Sequence, residues 1–264
     1  MRRHFARRTC LQVTCSRRKM DTDFIIITRN ITKRFDGKEA LKDVNLSIAT
    51  GEIFGLLGHN GAGKTTAVSI ITTLLEPSEG TAEICGFDIL RQSRDVRRNI
   101  GYLPENVEFY DRLTLQENLA YFARLSGLSK PARRIAEVLE FLDFTGHEKE
   151  RLETFSKGMR QRAGIAQAIM HEPRVLLLDE PTSGLDPQGV ILLRENIIRL
   201  NKELGMTIFM NTHSLSEVTK TCTSIGILRQ GELLYQDSLD HTMKSFPEET
   251  SLEDIYLRID AGRG

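Results

Sequence analysis

The stretch GHNGAGKTT, residues 58–66, constrains the fold of this 264-residue chain more than any other. It follows an apolar run, Glu52–Leu57, that predicts a buried strand, and it leads into a helical pattern over Thr65–Leu75 that stops before Pro77. The spacing G-x-x-x-x-G-K-[ST] between a strand and a helix is typical of a phosphate-binding loop. An ordinary glycine turn before a helix is the alternative, and the context on both sides argues against it.

The chemistry of this loop suits a nucleotide triphosphate. Glycines let successive backbone N–H groups converge on phosphate oxygens, and the following helix points its positive end at the same anion. Lys64 is expected to hold the β- and γ-phosphates, and the Thr65 hydroxyl is expected to hold Mg²⁺. His59 is expected to be a surface side chain of the loop and not a catalyst. The predicted nucleotide-binding residues of the loop are Gly58, His59, Asn60, Gly61, Ala62, Gly63, Lys64, Thr65 and Thr66.

A second apolar strand pattern, Val175–Leu178, ends in two acids, Asp179 and Glu180. A triphosphate site needs a carboxylate at a strand end to position Mg²⁺, and Asp179 fits that role. Glu180 is expected near the γ-phosphate, where it could polarise the attacking water. Taken alone, the stretch also fits a strand followed by a solvated acidic turn, so the assignment depends on the loop at residues 58–66.

The distribution of charge limits the partners of the chain. Lys and Arg number 36, as do Asp and Glu, but residues 1–20 hold six Arg and one Lys and no acid. The rest therefore has 29 basic and 36 acidic side chains and a net charge of −7. An acidic body argues against binding a phosphate backbone, so we expect no nucleic-acid partner. The four cysteines lack metal-ligand spacing, and no apolar run is long enough to cross a bilayer.

The basic head is similar to the start of a targeting sequence but lacks the apolar segment of a secretory signal. Three interpretations are open: a disordered tail, a contact with anionic lipid, or translated sequence upstream of a true start at Met20. The last is favoured because the first strand pattern begins at Phe24. A mass spectrum of the native N-terminus would distinguish Met1 from Met20.

The remaining sequence alternates strand and helix patterns. Short strands with a turn at Asp36-Gly37 are predicted within Phe24–Ile48. Residues Thr114–Met170 have helical periodicity, which predicts a mostly helical subdomain inserted into an α/β core. Strands alternating with helices predict a largely parallel sheet with helices on both faces. Besides the two apolar runs above, strands are predicted at Thr81–Ile84, Ile100–Leu103, Thr207–Met210 and Ser224–Leu228.

Three further motifs complete a pattern along the chain. FSKGMRQR, Phe155–Arg162, precedes the acidic strand, SGLD, Ser183–Asp186, follows it, and His213 comes after the next strand in NTHS. Phosphate loop, signature, acidic strand, SGLD and histidine in this order resemble the nucleotide-binding subunit of an ATP-binding cassette (ABC) transporter. The resemblance spans about residues 24–259, and the ending SLEDIYLRI, Ser251–Ile259, is similar to the ABC-2 branch of drug and sodium exporters.

The resemblance implies a fold and a division of the chain. The fold is α/β, a P-loop NTPase core with a parallel sheet, an antiparallel β-subdomain and an inserted helical subdomain at about residues 106–172. One ABC domain would occupy residues 24–259, between a basic, disordered extension at 1–23 and a tail at 260–264. ATP and Mg²⁺ would be bound, with Glu180, His213 and Lys64 as the catalytic residues.

The family pattern also implies roles for single residues. Ser156 and Gly158 of the signature would cap the γ-phosphate held by the opposite subunit, although Ser156 also fits a plain helix N-cap. His213 would touch the γ-phosphate, and Asp186 would couple the two sites of a dimer. Phe35 would stack on adenine, with a core phenylalanine as its alternative. Two signature residues depart from the family's LSGGQ, as in relatives that pair with exporter-type permeases.

One position departs from the family in a way that matters for the metal. In IGYLPEN, Glu105 stands where the family usually has glutamine. A carboxylate can still ligate Mg²⁺, directly or through water, so Thr65, Asp179 and Glu105 are the predicted metal ligands. The segment Phe109–Asn118 lies where the family's helical subdomain meets the permease.

The resemblance therefore implies an ATPase subunit that energises transport, with export favoured. Two ATP-binding subunits, most simply two copies of this chain, would close head to tail, and a separate transmembrane permease would be the second partner. The chain would be cytoplasmic, held at the inner face of the cell membrane by that permease. A soluble ABC ATPase without a permease is the first alternative, and a binding module that has lost hydrolysis is the second. The intact Lys64, Asp179, Glu180 and His213 argue against the latter.

Overall fold

The structure, a computed structural model, describes residues 23–262. The predictions for the basic head up to residue 22 lie outside these residues. Two sheets and nine α-helices make up the described part of the chain. The strands are β1 (Phe24–Phe35), β2 (Lys38–Val44), β3 (Ser47–Ala49), β4 (Ile53–Leu57), β5 (Glu79–Ile84), β6 (Phe87–Asp88), β7 (Ile100–Leu103), β8 (Val175–Asp179), β9 (Thr207–Asn211), β10 (Ser224–Arg229) and β11 (Glu232–Ser238). The helices are α1 (Lys64–Ile71), α2 (Ser93–Asn99), α3 (Leu115–Leu125), α4 (Ala132–Phe141), α5 (Lys157–Ala168), α6 (Pro187–Leu204), α7 (Leu215–Thr221), α8 (Leu239–Ser245) and α9 (Leu252–Asp260).

The central sheet has the strand order β11-β10-β4-β9-β8-β7. All neighbouring strands run parallel except β10 and β11, which are antiparallel. β4, β8 and β9 are buried along their whole length, as expected for the apolar strands of a parallel sheet that is covered on both faces. The predicted parallel sheet is confirmed.

Successive side chains of β8 belong to two different cores. Val175 and Leu177 pack in a core shared with α1 and the antiparallel sheet. Leu176 and Leu178 pack in a second core with α5, α6 and α7. Because alternate residues of a strand point to opposite faces, one strand serves both cores, and helices cover both faces of the sheet as predicted.

The smaller sheet is antiparallel throughout its described pairings. β1 pairs with β2, β3 and β5, and β5 pairs with β6. Asp36 and Gly37 both adopt left-handed φ angles, 46° and 81°, and join β1 to β2. A turn with two positive φ angles matches the twist of a hairpin, so the turn predicted at Asp36-Gly37 is confirmed.

Helix α1 lies between the two sheets and ends earlier than predicted. The apolar spacing predicted a helix to Leu75, but α1 ends at Ile71. Thr73 turns into the left-handed region with φ 63°, and the N–H groups of Leu74 and Leu75 both bond to the carbonyl of Ser69. Leu74 is exposed and so does not extend the buried face of the helix, which is why its apolar character was misleading.

Helices α3, α4 and α5 occupy the chain between β7 and β8 and pack on one another. α3 begins at a capping box in which Thr114 and Glu117 each satisfy a backbone N–H of the other. α5 packs directly against β7. The two approach so closely that a Cβ added at Gly164 of α5 would collide with Leu103 of β7. This close approach brings α5 next to the strand that leads to Glu105.

Candidate functional site

The predicted functional side chains collect at one edge of the central sheet. β4 leads into the loop at residues 58–63, and β9 is followed by His213. β8 ends at Asp179 and is followed by Glu180, and β7 is followed by Glu105. Since β4, β9, β8 and β7 are parallel neighbours, their carboxyl ends lie together, which is where parallel α/β sheets bind ligands.

The loop is held in its shape by glycine at a position that no other residue fits. Gly63 has φ 107°, and a Cβ there would lie 2.5 Å from the carbonyl oxygen of Ala40 and 2.8 Å from Leu41. Both contacts come from β2, so the loop is pressed against the antiparallel sheet. The helix that follows begins at Lys64 and points its N-terminus at the loop.

Lys64 is buried inside the loop that it follows. Its Nζ donates hydrogen bonds to the carbonyl oxygens of Gly58, at 2.7 Å, and His59, at 3.3 Å. Burial lowers the pKa of Lys64, and the nearby charges of Glu180 and Asp179 oppose that shift. The ammonium group therefore lies among the loop's backbone groups with two carboxylates close by, which suits a cation that contacts phosphate.

Asp179 is buried at the end of β8 and is held by the neighbouring strand. The side-chain amide of Asn211, at the end of β9, donates a hydrogen bond to its carboxylate. Burial raises the pKa of Asp179, the Asn211 hydrogen bond opposes the shift, and the charges of Glu180 and Glu105 add to it. Burial raises the pKa of the Tyr102 phenol, on β7, to about 12, and the charge and hydrogen bond of the nearby Asp179 add smaller contributions.

Glu180 and His213 form a direct pair. Nδ1 of His213 lies 2.9 Å from both carboxylate oxygens of Glu180. The Glu180 side chain is only 13% exposed, whereas that of His213 is 61% exposed. Glu180 also has a left-handed φ of 45°, an unfavourable conformation for a residue with a Cβ, and such strain concentrates at functional positions.

A cavity of about 1090 Å³ opens over this edge of the sheet. Residues of both sheets line this cavity. Phe35, the last residue of β1, lies at the rim of the cavity and is 45% exposed. The alternative of a core phenylalanine is therefore wrong. The predicted site residues that line the cavity are Phe35, Asn60, Gly61, Gly63, Lys64, Thr65, Thr66, Glu105, Glu180 and His213.

Other predicted site residues lie outside the wall of this cavity. Ser156 is the N-cap of α5, where its hydroxyl accepts a hydrogen bond from the N–H of Met159. A Cβ added at Gly158 would come within 3.9 Å of Leu185, next to the SGLD loop. Asp186 caps α6 by accepting from the N–H of Gly189 at 2.8 Å. Ser156, Gly158 and Asp186 thus contribute no surface to the cavity of their own chain, whereas Ser183 of the SGLD loop lines it.

Three loop residues also contribute no surface to the cavity, namely Gly58, His59 and Ala62. His59 turns its ring toward α9, where Nε2 lies 3.3 Å from the carboxylate of Asp260. Its side chain is 66% exposed, in agreement with the prediction of a surface side chain.

Glu105 connects the cavity to the signature helix and the SGLD loop. Its carboxylate accepts a hydrogen bond from the hydroxyl of Ser183 at 3.4 Å. Its backbone carbonyl accepts from the side-chain amide of Gln161 on α5 at 3.3 Å. A rearrangement of α5 or of the SGLD loop would therefore change the position of Glu105.

The residues that would face a metal carry oxygen donors. Thr65 offers a hydroxyl, and Asp179 and Glu105 offer carboxylates, which is the donor type that Mg²⁺ prefers. The buried Oδ1 of Asn211 has no hydrogen-bond partner among the described residues. Residues 23–262 hold no group of three or more His, Cys, Asp or Glu that could form a metal cage. Mg²⁺ needs none beside a triphosphate, because phosphate and water oxygens complete its coordination.

Sequence reasoning missed Asn211 and Tyr102, which flank Asp179. A signal for Asn211 was present, since an amide ends a fully buried strand, Thr207–Asn211, beside the strand that ends in an acid. Nothing in the local pattern of β7 marks Tyr102, because its contact with Asp179 depends on the pairing of β7 with β8.

Comparisons with known proteins agree with this geometry. The family model described as ABC transporter matches residues 41–183. The chain is 40% identical over 220 residues to the bacitracin transport ATP-binding protein BcrA of Bacillus licheniformis, over 83% of this chain and 72% of that protein. It is 39% identical over 228 residues to the ABC transporter ATP-binding protein NatA of Bacillus subtilis (strain 168), over 84% of this chain and 92% of that protein.

A solved structure shares the fold. The dimeric post-hydrolysis state of an ATP-binding cassette with ADP and Pi bound matches with a TM-score of 0.73 and 27% identity, over 81% of this chain and 98% of that chain. Within residues 23–262, no helix has the length and apolar character needed to cross a membrane. The phosphate loop, the acidic strand end, the paired glutamate and histidine, and these relatives together lead to one conclusion: the chain belongs to the ABC transporter family, as an ATP-binding and ATP-hydrolysing subunit.

Proposed function

We propose that this chain hydrolyses ATP as one half of a head-to-tail pair and drives export through a separate membrane permease. The observation that carries the proposal is the cavity in which the phosphate loop faces the Glu180–His213 pair. The name of the bacitracin transport relative supports a role in moving a compound across a membrane. The permease would hold the chain at the inner face of the cell membrane.

The nucleotide would lie across both sheets. The exposed ring of Phe35, at the end of β1, would stack on adenine. The loop N–H groups and the Nζ of Lys64 would hold the β- and γ-phosphates. Lys64 would exchange its bonds to the carbonyls of Gly58 and His59 for bonds to phosphate, which its position inside the loop allows by rotation of its side chain.

Glu180 would accept a proton from the water that attacks the γ-phosphorus. The water oxygen then forms the new bond to phosphorus, and the bond to the bridging oxygen of ADP breaks. His213 would donate from Nδ1 to the carboxylate, as its 2.9 Å contacts permit, and would fix the direction in which Glu180 points. In the imidazolium form, in which both ring nitrogens carry a proton, Nε2 of the same ring would donate to an oxygen of the γ-phosphate.

Mg²⁺ fits the oxygen donors at this edge of the sheet, and we assign its ligands to Thr65, Asp179 and Glu105. Thr65 and Glu105 line the cavity, whereas Asp179 is buried at the end of β8 and contributes no surface to its wall. When bound, the ion would neutralise phosphate charge during transfer. Asp179 must be ionised to serve, so its raised pKa ties metal binding to pH. The Asn211 hydrogen bond keeps the carboxylate turned along the sheet edge.

A second ATP-binding subunit would complete each site. Ser156, Gly158 and Asp186 are not among the residues that line the cavity of their own chain, and Ser156 is the N-cap of α5. A helix N-terminus is a ready site for an anion, so the signature of one copy could cap the γ-phosphate bound by the other. The solved relative named above is itself a dimer.

The permease would dock on a cluster of aromatic side chains in the segment that follows Glu105. Tyr110 and Tyr121 are 50% and 41% exposed and meet edge to face with ring centroids 5.1 Å apart. Phe109 and Phe122 lie in the same cluster. Exposed aromatic groups of this kind are enriched at protein interfaces. Residues 106–172, which include them, would form the helical subdomain of a single ABC domain at 24–259.

The first test is ATP turnover and ATP-dependent dimerisation of the parent beside Glu180→Gln. We expect turnover to fall by at least about 100-fold, because the general base is lost, while an ATP-bound dimer accumulates. Glu172→Gln is the matched control, since Glu172 also has a left-handed φ, 57°, but lies exposed before the opposite end of β8. Light scattering with and without ATP measures the dimer.

Two outcomes would contradict the proposal. Equal turnover by Glu180→Gln and the parent would remove Glu180 as the base. If the parent chain binds ATP but neither hydrolyses it nor dimerises, the proposed pair of ATP-hydrolysing sites is wrong and a binding module is favoured instead.

A further inference from the structure

The C-terminal helix, α9, packs next to the phosphate loop although the two are about 200 residues apart along the chain. Leu252, Ile255 and Ile259 anchor the helix in the larger core. Its neighbours are α7, β10 and β11. α7 is the helix that follows His213, and β10 is the strand beside β4, so α9 lies against the supports of two functional groups.

One residue of the loop meets α9 directly. Nε2 of His59 lies 3.3 Å from Oδ2 of Asp260. The same imidazole meets the ring of Tyr256 edge to face, with centroids 5.6 Å apart and planes at 71°. Tyr256 and Asp260 are four residues apart and therefore share one face of the helix, so both hold the same ring.

A second connection runs through β10. The guanidinium of Arg229, the last residue of β10, donates a hydrogen bond to the backbone carbonyl of Asp260. The carbonyl of the preceding residue, Leu228, lies so close to Gly58 that any side chain at Gly58 would collide with it. The first residue of the loop is thus held by β10, the second by α9, and β10 is itself joined to α9.

The contact between loop and helix is made by these few groups and not by a packed layer. A cavity of about 320 Å³ lies beside them, separate in its walls from Phe35 and Lys64. It is bounded by Asn60 and His213 on one side and by Leu257 on the other. This cavity lies between the loop and α9, and the contacts of His59 with Tyr256 and Asp260 connect the two beside it, so their loss should change the shape of the loop.

We propose that Tyr256 and Asp260 are positioning residues that hold His59, and through it hold the phosphate loop in the form that binds ATP. Neither residue lines the cavity assigned to the nucleotide. The inference rests on the proposed assignment of this loop as the ATP site. α9 would then act as a strut that supports the loop, and a change in its packing would change nucleotide affinity. A force on the C-terminus would be transmitted through His59 to the groups that bind phosphate.

The test separates KM from kcat in the full chain. For Tyr256→Leu and Asp260→Ala we expect the KM for ATP to rise about fivefold, equivalent to the loss of roughly one net hydrogen bond, with kcat within about twofold of the parent. Tyr256→Phe keeps the ring edge and should behave as the parent. Arg258→Gln is the matched control on the same helix, since it weakens ion pairs of α9 to Glu248 and Glu249, which precede the helix.

A double-mutant cycle tests whether the route passes through His59. If it does, adding Asp260→Ala to His59→Ala will raise KM no further than His59→Ala alone. Hydrogen exchange of the loop amides at residues 58–64 should quicken in Tyr256→Leu more than in Arg258→Gln. Parent-like KM values in both α9 variants, or full additivity in the cycle, would overturn the inference.

One more variant keeps this inference apart from the function on which it rests. Lys64→Ala should abolish ATP binding. If Lys64→Ala binds ATP as the parent does, the loop is not the site and the proposed function fails with the inference. If binding is lost there while the α9 variants stay unchanged, only the strut is refuted.

Discussion

Arg194 and Glu217 join the two helices that follow the SGLD loop and His213, and their removal should be costly. Nε and Nη2 of Arg194, on α6, lie 3.0 and 3.2 Å from the two carboxylate oxygens of Glu217, on α7. The side chains are 20% and 10% exposed. α6 begins after Asp186 and α7 after Ser214, so this fork fixes the spacing of two site elements.

The cost of breaking the pair follows from its burial. Removing one partner of a buried ion pair costs about 3–5 kcal/mol, because the other charge stays desolvated without compensation. The residual exposure here places Glu217→Leu at the lower limit, about 3 kcal/mol. For a domain of this size, that corresponds to a fall in Tm of about 6–12 °C. The double variant Arg194→Met, Glu217→Leu removes both charges and should lie within about 1 kcal/mol of the parent.

Urea unfolding followed by circular dichroism measures Arg194→Met, Glu217→Leu and the double variant at one pH. Asp240→Ala is the control, since it breaks an exposed pair with Lys244 whose side chains are 79% and 71% exposed, and it should cost about 0.5 kcal/mol or less. If Glu217→Leu lowers the free energy of unfolding by no more than this control does, the buried pair does not have the predicted effect. The reasoning is also refuted if the double variant is less stable than either single variant.

Three further predictions concern the site itself. Burial raises the pKa of Asp179 in the folded chain, so stability falls as the pH rises from the ordinary carboxyl range through that raised pKa. Asp179→Asn should therefore be more stable than the parent at neutral pH, and the difference should vanish below the ordinary carboxyl range; urea melts across pH check this. Glu105→Gln removes a charge that raises the pKa of Asp179, so the acid limb of the pH–activity profile should move to lower pH and the Mg²⁺ concentration for half-maximal activity should rise; an unmoved limb would show that the two carboxylates do not interact. Gly63→Ala should abolish binding of a fluorescent ATP analogue and destabilise by about 2 kcal/mol or more, whereas Gly61→Ala, with φ 81° and no atom within 4 Å of its added Cβ, should cost about 1 kcal/mol.

Much of the fold could be predicted because local chemistry and tertiary structure agree. The strand at Ile100–Leu103 has the predicted bounds, and the turn at Asp36-Gly37 uses the residues that positive φ angles favour. The end of α1 could not be predicted, since Leu74 continues the apolar spacing but faces solvent. The short β6 was also missed, because two residues carry no periodicity and their pairing with β5 depends on the tertiary fold.

The candidate site divides in the same way. Lys64 and Asp179 could be placed by sequence because a glycine loop and an acid at a strand end each have a local signature. The pairing of Glu180 with His213 required the strand order, which puts β8 beside β9. The contact of His59 with Asp260 joins residues 201 positions apart, and no pattern within either segment announces it.

The placement of Phe35 at the rim of a cavity whose floor belongs to the other sheet has a consequence for the lifetime of the chain. A nucleotide bound there would add a further contact between two sheets that already meet through α1 and through β2 and β11, and it would bind the folded chain but not the unfolded one. At a free concentration 100 times its Kd, such a ligand adds about 2.7 kcal/mol to the free energy of unfolding. When ATP runs short, that margin disappears, so proteases would clear this subunit faster in a starved cell than in a fed one.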